Sequence, residues 1–200
     1  MKPTRHLIAA ALLSTLPLAA AAQSAASQSA ASQTQRDINQ QERIQQGLSS
    51  GQLTTREAGN LERQESAVSR QQARALKDGT LTGAEKARID QSQDRVSRNI
   101  ARQKNDAQTG NPNSASSQRM QADVQRNVNQ DKRIQQGIQS GELTNREAGR
   151  LQRGQAHVEG REARAGANGH VGAGEQTRIQ QAENRQSQRI TRQKHDAQVR

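Results

Sequence analysis

Apolar residues recur along this chain at the three- and four-residue spacing of amphipathic helices, and short glycine-containing phrases separate the apolar segments. The phrase Gly-x-Leu-Thr-x-x-Glu begins at Gly51 and returns at Gly79 and Gly141, with a degenerate copy at Gly169. In such a phrase glycine adopts the left-handed conformation that ends one helix, and threonine with glutamate forms the capping box that begins the next. The pattern therefore predicts an all-α protein, with helices at 36–49, 54–77, 82–106, 119–139, 144–165 and 174–197. The predicted cap residues are Thr54, Glu57, Thr82, Glu85, Thr144 and Glu147.

The regular spacing of the glycine phrases reflects a tandem duplication. Residues 36–108 align without a gap with residues 126–198, at an offset of 90, and about half of the aligned positions are identical. Each copy contains three predicted helices with narrow apolar stripes, a pattern that suits a helical hairpin or a loose coiled coil. We therefore expect helical repeat 1 at 36–108, a linker at 109–118 and helical repeat 2 at 119–200.

The second copy has the weaker apolar pattern. Gly166 stands where the first copy has Leu76, and Gln186 stands where the first copy has Val96. Aromatic residues are absent from the whole chain, so each repeat has few large side chains to bury. We expect an isolated repeat to be marginally stable and the second repeat to be the less stable of the two.

The N-terminus has the pattern of a secretory signal. Lys2 and Arg5 precede an apolar stretch at 7–18, and small residues lead to a cleavage site near Ala22. Residues 1–22 are therefore predicted to be a signal peptide, which places the mature chain in the periplasm or outside the cell, without a transmembrane segment. Residues 23–35 consist mainly of Ser, Ala and Gln and are predicted to form a low-complexity tether.

The charge balance favours anionic partners. The formal net charge is +11, and most of the 30 basic residues are arginines, which stay protonated at any working pH. The export signal and the lack of aromatic side chains for base stacking argue against nucleic acid. Arginines spaced seven, three and four residues apart would share one side of the third and sixth helices. These candidate anion-binding residues are Arg88, Arg95, Arg98, Arg102, Arg178, Arg185, Arg189 and Arg192. The simpler alternative is that the charge only keeps the protein soluble.

Candidate chemistry is otherwise sparse. The chain has no cysteine, no catalytic constellation and no histidine pair at the spacing of a helical zinc site. Residues 78–85 resemble the second half of an EF-hand loop, which makes Asp78 and Glu85 candidate calcium ligands. The leading positions of such a loop would be Arg74 and Leu76, which offer no carboxylate. The prediction is a protein without enzymatic activity or cofactor, with calcium left as the open alternative.

Three phrases carry a family resemblance. Residues 43–47 (RIQQG), residues 50–58 (SGQLTTREA) and residues 102–108 (RQKNDAQ) resemble a class of small exported bacterial proteins that repeat a GxLTxxEA helical module and whose activity is uncharacterised. The resemblance covers nearly all of both repeats and implies a helical periplasmic protein without a known active site. A looser similarity is to Spy/CpxP-type periplasmic stress chaperones, which place a Leu-Thr-x-x phrase at helix starts.

Together these patterns predict a non-enzymatic exported protein that presents a basic, arginine-rich helical surface to anionic envelope components or proteins, in an interaction or stress-protective role. The alternative is a degenerate EF-hand-like calcium-binding protein. Self-association stays open, because the apolar stripes are narrow.

Overall fold

The computed structural model describes residues 18–196, and it is all-α over that range, with six α-helices and no strand. This confirms the predicted fold class. The helices are α1 (Leu18–Ser50), α2 (Thr55–Ala75), α3 (Gly83–Lys104), α4 (Ala115–Ser140), α5 (Asn145–Gly166) and α6 (Ala173–Lys194), with a 3-10 turn at Leu76–Asp78. None of the helices in the described part is long and apolar enough to cross a membrane. Most of the predicted signal peptide lies outside the described residues.

The glycine phrases form the predicted turns. Four glycines have φ between 76° and 89°, the left-handed region that side chains disfavour: Gly51, Gly79, Gly141 and Gly169. The threonines at 54, 82 and 144 each accept a hydrogen bond from the backbone amide three residues later, and the glutamate there accepts one from the threonine amide. Gly172 has no hydroxyl, so only the bond from its amide to Glu175 remains, at 2.9 Å.

The prediction of a tether at 23–35 is wrong, because α1 continues through these residues without a break. Ala30 and Ala31 are 2% and 5% exposed, and they belong to a core cluster that includes Leu76 and Leu151. Thr34 is also buried, and the side chain of Gln152 donates to its hydroxyl. Alanine and glutamine are good helix formers, and the second copy supplies the surface that covers them. The linker is also shorter than predicted, because α4 begins at Ala115 behind the cap residue Ser114.

The two copies interlock. Within each copy the middle helix is antiparallel to the other two, and the two copies meet where α1 packs on α4 and α2 packs on α5, again antiparallel. Hydrogen bonds recur at the offset of 90: Arg43 donates to the Ser97 hydroxyl at 3.2 Å, and Arg133 donates to the Ser187 hydroxyl at 2.7 Å. The molecule therefore has an approximate twofold axis, which places α3 and α6 on opposite flanks, where they do not contact each other.

The α2–α5 contact depends on glycine. A Cβ added to Gly59 would lie 2.9 Å from the Cα of Gly166, and one added to Gly149 would lie 2.9 Å from the Cβ of Leu76. Gly166 is therefore required by the contact. Met120 fills the space beside it. The equivalents of Gly166 and Met120 in the first copy are Leu76 and Ala30, so the large and the small side chain have exchanged places between the copies. Both hydrophobic clusters of the core contain residues from both copies. The stability of one copy therefore cannot be separated from that of the other.

Candidate anion-binding surface and the acids beneath it

Acidic and basic side chains are segregated between the interior and the surface. Of the 19 acidic residues ten are buried, whereas no described lysine or arginine is buried. Glu57 and Glu147 are two of the ten, and both act as helix caps. The other eight lie in the core between the helices: Asp37, Glu62, Glu65, Asp123, Asp131, Glu159, Glu162 and Glu183. The surface is consequently more basic than the formal charge suggests.

The buried acids are held mainly by neutral side chains. Gln72 and Gln93 donate to the two carboxylate oxygens of Asp37, at 2.7 and 2.6 Å. Similar bonds join Gln41 to Glu62 (3.0 Å), Asn127 to Glu162 (2.7 Å), Gln155 to Asp131 (3.1 Å), Gln176 to Asp123 (2.7 Å) and Ser69 to Glu159 (2.9 Å). Arg126, which contacts Glu183 at 3.1 Å, is the single ion-pair partner of this group among the described residues.

Burial without compensating charge favours the protonated form of a carboxyl. Desolvation raises the pKa of Asp37, Glu62 and Asp123 to about 7 and that of Glu183 to about 8. It also raises the pKa of the remaining four acids well above their ordinary values, and neighbouring carboxyls add to the shift: Glu65, Asp131, Glu159 and Glu162.

Each of these eight acids has a neutral counterpart 90 residues away in the other copy. The exchanges are Asp37/Asn127, Glu62/Gln152, Glu65/Gln155, Ser69/Glu159, Gln72/Glu162, Gln33/Asp123, Gln41/Asp131 and Gln93/Glu183. Near the twofold axis the equivalent residues meet directly: Ser69 donates to Glu159, and Lys132 pairs with Glu42 at 2.7 Å. No two of these eight core acids therefore occupy equivalent positions, and the copies are complementary in the core where identical copies would repel. The alignment of the repeats carried this signal, but sequence reasoning missed it.

The eight candidate arginines are all exposed. Four lie on α3 and four on α6, so the fold divides them between opposite flanks. The two flanks differ in their acids. On α3, Asp90 and Asp94 both pair with Arg36, whereas α6 has the neutral residues Gln180 and Asn184 at the equivalent positions.

The structure adds basic residues that the sequence reasoning missed. In the groove between α5 and α6, the predicted residues Arg178, Arg185 and Arg189 are joined by His157, Arg161 and Arg164, which the sequence reasoning missed. A second groove between α2 and α5 is lined by Arg70, Arg74, Arg153 and His157. The helical periodicity predicted exposed arginines on single helices. It contained no information on which helices would lie side by side.

The proposed calcium ligands are engaged in local hydrogen bonds. Asp78 accepts from the amide and hydroxyl of Thr80, at 2.9 and 2.8 Å, and these bonds lower the pKa of its carboxyl. Glu85 accepts from the amide and hydroxyl of Thr82, at 3.0 and 2.7 Å. Within the described residues there is no group of three or more His, Asp or Glu side chains that could hold a metal ion. Both carboxylates therefore have a structural role in a turn and a helix cap.

Comparison with protein-family models, with curated proteins and with solved structures found no match to this chain.

Proposed function

We propose that this protein is a non-enzymatic exported interaction or stress-protective protein that binds anionic envelope components through its arginine-rich helical surfaces. The observation that carries the proposal is the segregation of charge, with ten acids buried and no described basic residue buried. A protein that needed charge only for solubility would gain nothing from hiding half of its acids in the core, where each buried carboxyl costs desolvation energy.

The segregation leaves the guanidinium groups available. None of the eight candidate arginines forms a salt bridge with an acid in the described part of the chain. Their charge does not titrate at working pH, and each guanidinium presents a planar fork of donors that fits phosphate and carboxylate oxygens. An anionic partner would therefore meet cations that are already exposed and are not paired with an internal acid.

The test is binding to vesicles. The mature chain is titrated with phosphatidylglycerol vesicles and with neutral phosphatidylcholine vesicles, at rising salt concentrations. We expect binding to the anionic vesicles only, with an affinity that falls steeply with salt, because the interaction depends on screened charges. Replacing Arg88, Arg95, Arg98 and Arg102 by glutamine should weaken binding, while the matched lysine replacements should retain most of it. Binding that is insensitive to salt, or equal for the glutamine and lysine variants, would contradict the proposal.

The calcium alternative is tested on the same protein. A ligand that binds only the native state raises the melting temperature by mass action. We expect millimolar calcium to leave the melting temperature unchanged, because Asp78 and Glu85 are engaged in the turn and the cap. A calcium-induced rise that disappears in Glu85→Gln would favour the cation binder.

A further inference from the structure

We propose that the groove between α5 and α6 is a specific binding site and that its ligand is a linear phosphate chain. This inference rests on the proposed function, because it assigns one site and one class of ligand to the basic surface. The α5 side of the groove presents His157, Arg161 and Arg164, and the α6 side presents Arg178, Arg185 and Arg189. Arg161 lines both halves of the groove, which makes the lining continuous.

At the same place in the first copy, side-chain hydrogen bonds connect the two helices. There the side chain of Asn99 donates to Gln64, and the hydroxyl of Ser92 donates to Gln71 at 2.9 Å, so two bonds bridge α2 and α3. In the second copy these two pairs become Gly154 with Arg189 and Arg161 with Ala182. Glycine and alanine have no side chain that could form either bridge. The substitutions thus remove both bridges and place an arginine where a member of each bridge stood.

The floor of the groove has adapted to the loss of the Gln64 side chain. Gln186, which replaces Val96, donates to the backbone oxygen of Leu151 at 2.9 Å. A Cβ at Gly154 would lie 1.9 Å from the side-chain oxygen of Gln186, so the glycine is required by this arrangement. The floor of the groove in the second copy is therefore formed by the Gln186 side chain, which packs directly over Gly154.

The charge of the groove changes in the same direction. The basic residues His157, Arg161 and Arg189 replace Ala67, Gln71 and Asn99 of the first copy. The single acid that lines the groove is Glu175, at one end of it. Six lining residues of the groove differ between the copies: Gly154, His157, Arg161, Ala182, Gln186 and Arg189. Two of these changes remove a bridging side chain, and two add a guanidinium group.

The arrangement of cations favours phosphate over carboxylate. Guanidinium groups face the groove from both helices, so a ligand group in the middle must accept hydrogen bonds from two sides. A phosphate offers several oxygens in a tetrahedral arrangement, whereas a carboxylate offers two oxygens that one guanidinium fork satisfies. Along α6 the arginines extend from residue 178 to residue 189, which is about 16 Å at the rise of an α-helix. A row of this length fits several consecutive phosphates better than a single ion.

The probe is a short linear inorganic polyphosphate, labelled at one end and titrated by fluorescence anisotropy against the whole mature chain at low salt. The groove variant His157→Ala, Arg161→Gln, Arg189→Asn installs the residues of the first copy. We expect its affinity to fall about tenfold or more, since two guanidinium groups and one imidazole are lost from the groove. The matched control, Arg63→Gln with Arg150→Gln, removes two exposed arginines that line neither groove and should change the affinity by less than about threefold. Thermal melts establish that both variants remain folded.

Two further measurements in the same assay test which phosphate compound the groove binds. Orthophosphate at an equal concentration of phosphate groups should compete poorly, because it reaches only one pair of arginines. A glycerol phosphate polymer in place of polyphosphate distinguishes a phosphodiester envelope polymer from a free phosphate chain, by which of the two binds more tightly. Equal losses in the groove variant and the control, or full competition by orthophosphate, would overturn the groove assignment and leave the broader basic surface in place. Absence of binding to every anionic probe, vesicles included, would overturn the proposed function as well.

Discussion

The buried acids should make the free energy of unfolding depend on pH, and Asp37 is the best residue at which to test this. Its carboxylate is 5% exposed and accepts hydrogen bonds from Gln72 and Gln93. The corresponding residue of the second copy is Asn127, so Asp37→Asn installs a side chain that the fold already uses at the equivalent position. The side-chain oxygens of both glutamines have no other partner, so a turned amide can accept a bond from the new asparagine.

The magnitude follows from the pKa. Burial raises the pKa of Asp37 from 3.8 to about 7, so between these values the native state holds a proton that the unfolded state has lost. A native state that binds more protons loses stability as pH rises, by about 1.4 kcal/mol per pH unit for one group. The stabilising contribution is fully present below about pH 4 and lost as the pH rises through 7. Between pH 5 and pH 7 the Asp37 carboxyl alone should therefore lower the free energy of unfolding by about 2 kcal/mol, because the native carboxyl begins to lose its proton as the pH approaches 7.

The assay is urea unfolding followed by circular dichroism, at pH 5, 6 and 7. We expect the free energy of unfolding of the wild-type protein to fall over this range. That of Asp37→Asn should fall by about 2 kcal/mol less than that of the wild type. The control is Asp106→Asn, which changes an exposed acid and should follow the wild type. A wild-type stability that is constant or rises between pH 5 and pH 7, or an Asp37→Asn variant with the wild-type slope, would refute the account of the core acids.

Two further predictions concern the turns and the helix contact. Thr54→Ala and Thr144→Ala each remove a capping hydroxyl and should lower the free energy of unfolding by about 1 kcal/mol in urea titrations, whereas Thr177→Ala, at an exposed position within α6, should not; equal effects would contradict the capping role. Gly59→Ala should cost about 1 to 3 kcal/mol, because its methyl group would press against the backbone of Gly166, while Gly83→Ala, which has open space around it, should be neutral or slightly stabilising; a harmless Gly59→Ala would show that α2 and α5 can separate without cost.

The helices and their turns could be predicted because the information is local. A left-handed glycine, a capping threonine and a glutamate three residues later lie within one short phrase, so Gly51 to Glu57 needs no knowledge of the rest of the chain. The positions of the eight candidate arginines on their helices are local in the same sense, and the structure leaves all eight exposed.

The features that could not be predicted from the sequence depend on tertiary contacts, most of them between the two copies. Residues 23–35 look like a tether because they contain few large apolar residues, yet alanines 30 and 31 are buried by helices from both copies. Gly166 looks like the loss of a leucine, although it allows close packing against Gly59. Glu65 falls in the apolar stripe of α2 and looks like an interruption, whereas it is 1% exposed in a shared polar core. The arginine groove was missed because its two walls are brought together only by the tertiary packing of α5 against α6.

The exchange of acids for amides between equivalent positions has a genetic consequence. Tandem repeats that align without a gap over 73 codons are natural substrates for recombination, which would delete 90 residues and leave one hybrid copy. Such a hybrid could pair only with another molecule of itself. A crossover after residue 62 would join Asp37 and Glu62 to Glu159, Glu162 and Glu183, and in a symmetric dimer Glu159 would then face Glu159 without a serine to donate to it. The divergence of the two copies has therefore made the duplication hard to reverse, because every shortened product inherits acids that have lost their neutral counterparts.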